Sequence, residues 1–267
     1  MKHVDEYAAL FLNIFHSHRL EHGPSVPIST LSPDDAYAVQ RKVIDQRVLR
    51  GERVAGFKVG CTSRAIRHQF GLSEPICGRV MEPHLYFGSA ALPPQRFHHP
   101  AVEPELVLVM GRDFVDEVGP EEPLDNSIDF VSPGIEVHNY DWCFGPPSSQ
   151  ELICSNGLHA CLVVGENKIK PKNLDWDMEG VALFKNGELA ASGVGAEIMG
   201  GPMTSLRWLI NHLVRHGESL RTGQCVIPGS AVRLISVEPG DRVESRFTHF
   251  GSVAAEFSDR VELEAQA

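Results

Sequence analysis

The stretch His99-Pro100-Ala101-Val102-Glu103-Pro104-Glu105-Leu106-Val107-Leu108-Val109-Met110 decides how this 267-residue chain is read. Leu106 to Met110 is a continuous apolar run suited to a buried strand. Glu103 and Glu105, two residues apart at its entrance, project onto one face of an extended chain. Two like charges held together there repel, and desolvation adds to the cost, so something positive must offset them. A hard divalent cation does so economically, because carboxylate oxygens suit Mg²⁺, Ca²⁺ or Mn²⁺. Pro104 has no N–H for a ladder, which fits a strand start where a site opens. The alternative is a solvated strand end that happens to carry two acids.

Outward from this stretch, Glu136 stands in Pro133-Gly134-Ile135-Glu136-Val137-His138, a short strand beginning after a turn. It either faces solvent by alternation or completes an oxygen-rich site with open positions for water and substrate. Lys58, in Gly56-Phe57-Lys58-Val59-Gly60-Cys61-Thr62, is the one cation in a glycine-flanked, strand-like run. Glycines on both sides permit close approach by a ligand, although a strand lysine also snorkels to water. Other candidates are weaker. Ser192-Gly193-Val194-Gly195 misses the spacing of a dinucleotide fingerprint and reads as a turn. His98-His99 suits a loop, and Cys154 and Cys161 suit packing roles.

The surrounding pattern predicts an α+β chain with its helices first. Ala8, Phe11, Leu12 and Phe15 fall at helical spacing within residues 4–20. Ser32 can cap a second helix, Pro33 suits its first position, and Asp34 and Asp35 favour the positive end of its dipole. Ala36, Val39, Gln40, Val43, Ile44 and Val48 then form a mostly apolar stripe up to Gly51. After Gly51 come strand-like runs at Val54–Val59, Val226-Ile227, Val232–Val237 and Arg242–Phe247, several divided by Pro-Gly turns. Val181–Lys185, Asn186-Gly187 and Glu188–Ala190 read as a hairpin. A further helix runs from Thr204 to His216. Without regular βα alternation, the division is a helical region over 1–52 and a β-rich body over 53–267.

The formal net charge of −11 opposes binding to nucleic acid or an anionic membrane. No stretch approaches the ~18 apolar residues of a spanning helix, and the acidic N-terminus is unlike a signal peptide. Six cysteines without a CxxC pair predict free thiols in a reducing compartment, the cytoplasm.

An ordered set of segments carries a family likeness: Gly-Phe-Lys-Val-Gly-Cys-Thr-Ser (56–63), Glu-Pro-Ile-Cys-Gly (74–78), Val-Glu-Pro-Glu-Leu (102–106) and Gly-Ile-Glu-Val (134–137). It continues through Asp141-Trp142, Asn156-Gly-Leu-His159, Leu-Val-Val-Gly (162–165), Ser192–Gly195, the Trp208 helix and Phe-Gly-Ser-Val (250–253). In these residues the chain resembles the 2-keto-4-pentenoate hydratase and 4-oxalocrotonate decarboxylase family of the fumarylacetoacetate hydrolase superfamily. The resemblance implies a β-rich fumarylacetoacetate-hydrolase-like catalytic fold, homo-oligomeric assembly and a Mg²⁺ or Mn²⁺ site. It assigns the metal to Glu103, Glu105 and Glu136, and the active-site lysine to Lys58.

The implied chemistry is hydration of a small unsaturated 2-oxo acid, as in the breakdown of aromatic compounds. The metal stabilises charge on the 2-oxo oxygen while Lys58 stabilises the enolate or shuttles a proton. Two departures stand on the substrate side: Ile76 where related hydratases carry an aspartate, and Ser155-Asn156-Gly157-Leu158 in place of Asp-Asn-Ala-Ser. His138 and Asp141 become candidate acids or bases, while Val59, Asn156 and His159 become candidate substrate contacts. Decarboxylation, C–C hydrolysis of acylpyruvate-like diketo acids, and metabolite binding without catalysis remain alternatives.

Overall fold

In the computed structural model, which describes residues 2–17, 26–139, 147–172 and 174–258, the chain opens with two helices. These are α1 (Lys2–Ser17) and α2 (Pro33–Leu49). The cap of α2 forms as its sequence predicts: Ser32 accepts a hydrogen bond from Asp35 N, with Pro33 in the first turn. Next come β1 (Val54–Gly60), α3 (Arg64–Gln69), β2 (Ile76–Met81), β3 (Leu85–Phe87), β4 (Ala90–Ala91), β5 (Pro100–Met110) and β6 (Ile128–Asn139). Helix α4 (Ser149–Cys154) precedes β7 (His159–Val164), and the hairpin of β8 (Gly180–Lys185) and β9 (Glu188–Val194) precedes α5 (Pro202–Arg215). Strands β10 (Cys225–Ile227), β11 (Ile235–Ser236), β12 (Arg242–Phe247) and β13 (Gly251–Glu256) follow. The hairpin turns at Asn186-Gly187, both with positive φ (53° and 86°), as the dipeptide predicts.

The strands build two sheets. The larger runs β2-β1-β10-β5-β6-β7-β3 with β11 beside β5, and the smaller runs β4-β13-β12-β8-β9. Val102, Ile135, Val137, Cys161 and Val163 turn one face of the large sheet onto Leu183, Val243, Val253 and Ala255 of the small one. The helices pack elsewhere, with Tyr7, Phe11, Ile14, Val39 and Val43 sharing a core with Phe57, Val59, Leu152, Leu206 and Leu209. This is the expected α+β arrangement. No helix among the described residues is long and apolar enough to cross a membrane.

Three local expectations are corrected. β5 begins at Pro100, so both acids lie inside the strand rather than at its entrance. Pro104 is tolerated there because its outer neighbours leave a gap: β11 pairs only with Ala101 and Val102, and β10 with Leu108 and Val109. β6 runs straight through Pro133-Gly134, where no turn forms. A Cβ at Gly134 would come within 2.6 Å of Val107 Cγ2, so that glycine serves close strand contact. Ser192-Gly193-Val194 is likewise strand, not turn, and a Cβ at Gly193 would meet the Ala231 carbonyl oxygen at 2.3 Å.

Candidate active site

Alternation along β5 sends Glu103 and Glu105 to the face opposite Val102. The β5–β6 register then sets Glu103 across from Glu136 and Ala101 across from His138. A register shift after Val137 brings His159 of β7 opposite His138. Both imidazoles reach Glu136. His159 Nδ1 donates to Oε1 at 2.7 Å, and His138 Nε2 lies 3.2 Å from Oε2 and 3.1 Å from Glu103 Oε2.

Lys58 arrives from a distant strand. Two strands separate β1 from β6, about 14 Å in a flat sheet. Yet Lys58 Nζ donates to Glu136 Oε1 at 2.6 Å, so the large sheet curls and these side chains meet on its concave face. Nζ also donates to the Gly157 carbonyl at 3.1 Å. Glu105 is fixed from another direction, accepting from Gly229 N–H at 3.1 Å. Val80, Val107, Leu162, Val164 and Ile227 form an apolar floor beside these groups. Lys58, Glu105 and Glu136 are each at most 2% exposed.

Burial makes the charges interact strongly. It pushes the Glu105 carboxyl well above the usual carboxylate range, and the charges of Glu136 and Glu103 push it further. Glu136 goes the other way: against the cost of burial, His138 and Lys58 hold it well below that range. Burial also opposes charging of His138, but Glu136 and Glu103 raise it to about 9. Burial lowers His159, favouring the neutral ring. With Nδ1 committed to Glu136, Nε2 of His159 has no hydrogen-bond partner among the described residues.

The donors fit a divalent cation. One atom each from Glu103, Glu136 and His138 lie within 4.8 Å of one another. Glu105 adds a buried carboxyl, anchored by Gly229, whose ionisation is opposed by burial and then by the charges of Glu136 and Glu103. A dication among these oxygens would relieve the repulsion, and hard ions prefer them to imidazole.

The fold thus gathers Lys58, Glu103, Glu105, Glu136, His138 and His159. It does not gather the rest. Val59 turns its side chain into the core on the other side of β1 from Lys58. The Asn156 carboxamide, expected to contact substrate, is engaged at both ends by the Arg79 backbone. Asp141 lies outside the described residues. Ile76 is buried, with its δ-carbon 3.6 Å from where a Gly157 Cβ would stand, beside the Lys58 amine. Sequence reading missed the Gly157 carbonyl and the Gly229 N–H, since backbone groups carry no residue signature. It also named His138 as a candidate acid or base without foreseeing its contacts to Glu103 and Glu136, although its i, i+2 spacing from Glu136 was a usable signal.

Residues 81–258 match the fumarylacetoacetate (FAA) hydrolase C-terminal family, and the chain belongs to it. It is 31% identical to a 2-keto-4-pentenoate hydratase of Paraburkholderia xenovorans over 88% of each chain. It is 27% identical to a 4-oxalocrotonate decarboxylase of Pseudomonas putida over 84% of each. The solved structure of 4-oxalocrotonate decarboxylase from Pseudomonas putida G7, complexed with magnesium and adipate, superposes with a TM-score of 0.87. That match is 26% identical and covers 96% of this chain and 97% of the other.

Proposed function

We propose that this chain is a divalent-metal-dependent lyase of the hydratase type, acting on a small unsaturated 2-oxo acid. The observation that carries the reading is the convergence of three carboxylates, from Glu103, Glu105 and Glu136, with Lys58 on one concave face. The likeness to a 2-keto-4-pentenoate hydratase supports the reaction, and the magnesium of the related decarboxylase structure supports Mg²⁺, with Mn²⁺ the alternative.

Glu103, Glu105 and Glu136 would hold the cation, with His138 bonded to Glu103 and Glu136. When bound, the cation supplies Lewis-acid stabilisation of negative charge developing on the keto oxygen of a chelated 2-oxo acid. Lys58 holds a proton at Nζ and exchanges it with the substrate carbon skeleton, aimed by Glu136 and the Gly157 carbonyl. His159, fixed through Nδ1, offers Nε2 to a polar substrate group or to water. Ile76 supplies no carboxylate beside Lys58, which leaves proton handling to Lys58 and the histidines. The apolar floor keeps bulk water from the reacting atoms.

Decarboxylation is the second reading, favoured by the close superposition on a decarboxylase. Conversion of 2-keto-4-pentenoate to its 4-hydroxy product separates hydration from CO₂ release by a dicarboxylate analogue. We further read the protein as a cytoplasmic homo-oligomer without nucleic-acid or membrane partners, with 1–52 as a helical region and 53–267 as the catalytic domain. Light scattering after gel filtration tests the assembly.

The site itself is tested by thermal shift with Mg²⁺ and oxalate, on wild type and Glu105→Gln. At about 100 times its Kd, a ligand bound only to the folded state stabilises by roughly 2.7 kcal/mol. Oxalate is expected to raise Tm only when Mg²⁺ is present, and the variant is expected to lose the effect. A wild type unmoved by both would overturn the metal site.

A further inference from the structure

The turn Asn156-Gly157-Leu158 lies between α4 and β7 with all three residues left-handed, at φ 60°, 65° and 60°. Such a run is strained for Asn and Leu and persists only where its surroundings fix it. The fixing contact is unusual in form. Asn156 Oδ1 accepts from Arg79 N at 2.7 Å, and Asn156 Nδ2 donates to Arg79 O at 2.8 Å. One side chain thereby takes the place of a neighbouring strand on the outer edge of β2, an end strand of the large sheet. Helix α2 closes the same edge one step earlier: Cys77 N donates to Tyr37 Oη, and Gln40 Nε2 donates to Cys77 O.

This edge stands directly over Lys58. Gly78 pairs with Lys58 across the β1–β2 ladder, and a Cβ there would lie 2.8 Å from Lys58 Cγ and 3.0 Å from Asn156 Oδ1. A Cβ at Gly157 would lie 3.2 Å from both Cε and Nζ of Lys58. The lysine stem therefore runs in a slot with glycine on two sides, and the Gly157 carbonyl receives its amine. We infer that Asn156 is a positioning residue: by clamping the left-handed turn to β2 it shapes the slot that aims Lys58 at Glu136. The inference rests on the proposed role of Lys58 in turnover, so its test includes a readout that needs no turnover.

Asn211 provides a matched control. Its carboxamide clamps the Val118 backbone in the same two-way fashion, at 2.7 and 3.0 Å, without any tie to Lys58. Wild type, Asn156→Ala and Asn211→Ala are treated with an amine-acetylating reagent well below their melting temperatures. Modification of Lys58 is read by peptide mass spectrometry against exposed Lys170. Steady-state kinetics with 2-keto-4-pentenoate and Mg²⁺ run in parallel.

In Asn156→Ala, Lys58 labelling is expected to rise at least tenfold, and kcat to fall at least tenfold with KM changed less than threefold. Asn211→Ala is expected to lower Tm while leaving labelling and kcat at wild-type values. Asn156→Asp, which keeps an oxygen for the Arg79 N–H, is expected to fall between, and it serves if the alanine variant does not fold. Protected Lys58 in the Asn156 variants, or equal effects in the Asn211 variant, would overturn the inference. If wild type turns nothing over, the functional reading fails, and labelling alone decides the positioning role.

Discussion

At Lys58 a buried amine meets a buried carboxylate, and removing it has two separable consequences. Glu136 loses its 2.6 Å partner but keeps His138 and His159, so the fold is spared the full ~3–5 kcal/mol cost of a broken buried pair. The proposed proton exchange has no such reserve, because no other amine reaches Glu136 among the described residues. Lys58→Met is expected to lower kcat by about 10²–10⁴ while retaining Mg²⁺-dependent oxalate binding by calorimetry. Unchanged kcat would remove Lys58 from the chemistry. The residue types of this site were legible in the sequence: two acids spaced i, i+2, and one lysine among glycines. The pairing of Lys58 with Glu136 was not, since 78 residues separate them and only the curl of the sheet joins them.

At the scale of elements, α2 acts as more than an apolar cover. Gln40 is a polar break in its apolar stripe, and the structure gives the reason: its amide donates to Cys77 O at 3.0 Å and to Ile153 O at 2.7 Å, while its oxygen accepts from Arg79. One side chain thus ties β2, α4 and a buried guanidinium together. Gln40→Ala leaves buried carbonyls and a cation short of partners, each omission costing about 1–3 kcal/mol. Urea denaturation should show an unfolding free energy lowered by at least that amount. An unfolding free energy within about 0.5 kcal/mol of wild type would mean that water takes over these bonds. The stripe and Ser32 cap of α2 were readable from local chemistry. The register that makes Gln40 meet an edge strand was not.

Across the whole molecule, His212 on α5 sets a pH limit. Its ring stacks on Trp208 at 4.8 Å and lies tilted against His216 at 4.3 Å and Tyr37 of α2 at 5.2 Å. Burial, then His216, Arg79, Arg215 and Arg41, lowers its pKa from 6.5 to about 3. In the unfolded chain His212 takes a proton as pH falls below about 6.5, whereas the folded chain resists until about 3. Unfolding therefore takes up a proton in that window, and stability falls as pH drops through it. Tm measured from pH 7 to pH 4 should decline less steeply in His212→Asn than in wild type. Parallel curves would show that other groups, the buried carboxylates foremost, govern the acid limb.

Periodicity and turn chemistry are local, so the sequence by itself determined the helical start, the strand-rich body, the Asn186-Gly187 hairpin and the acids and lysine that mark the site. Local chemistry did not determine strand limits where proline and glycine occur inside strands. Pro104 and Gly134 signal breaks, but gaps and close approaches supplied by neighbouring strands accommodate them. The tertiary structure also decided which polar groups face each other. It set His138 and His159 on Glu136 through a register shift, turned Asn156 to the Arg79 backbone, and curled β1 onto β6. Those outcomes depend on register and curvature, which arise from many distant contacts at once and leave no mark at a single position.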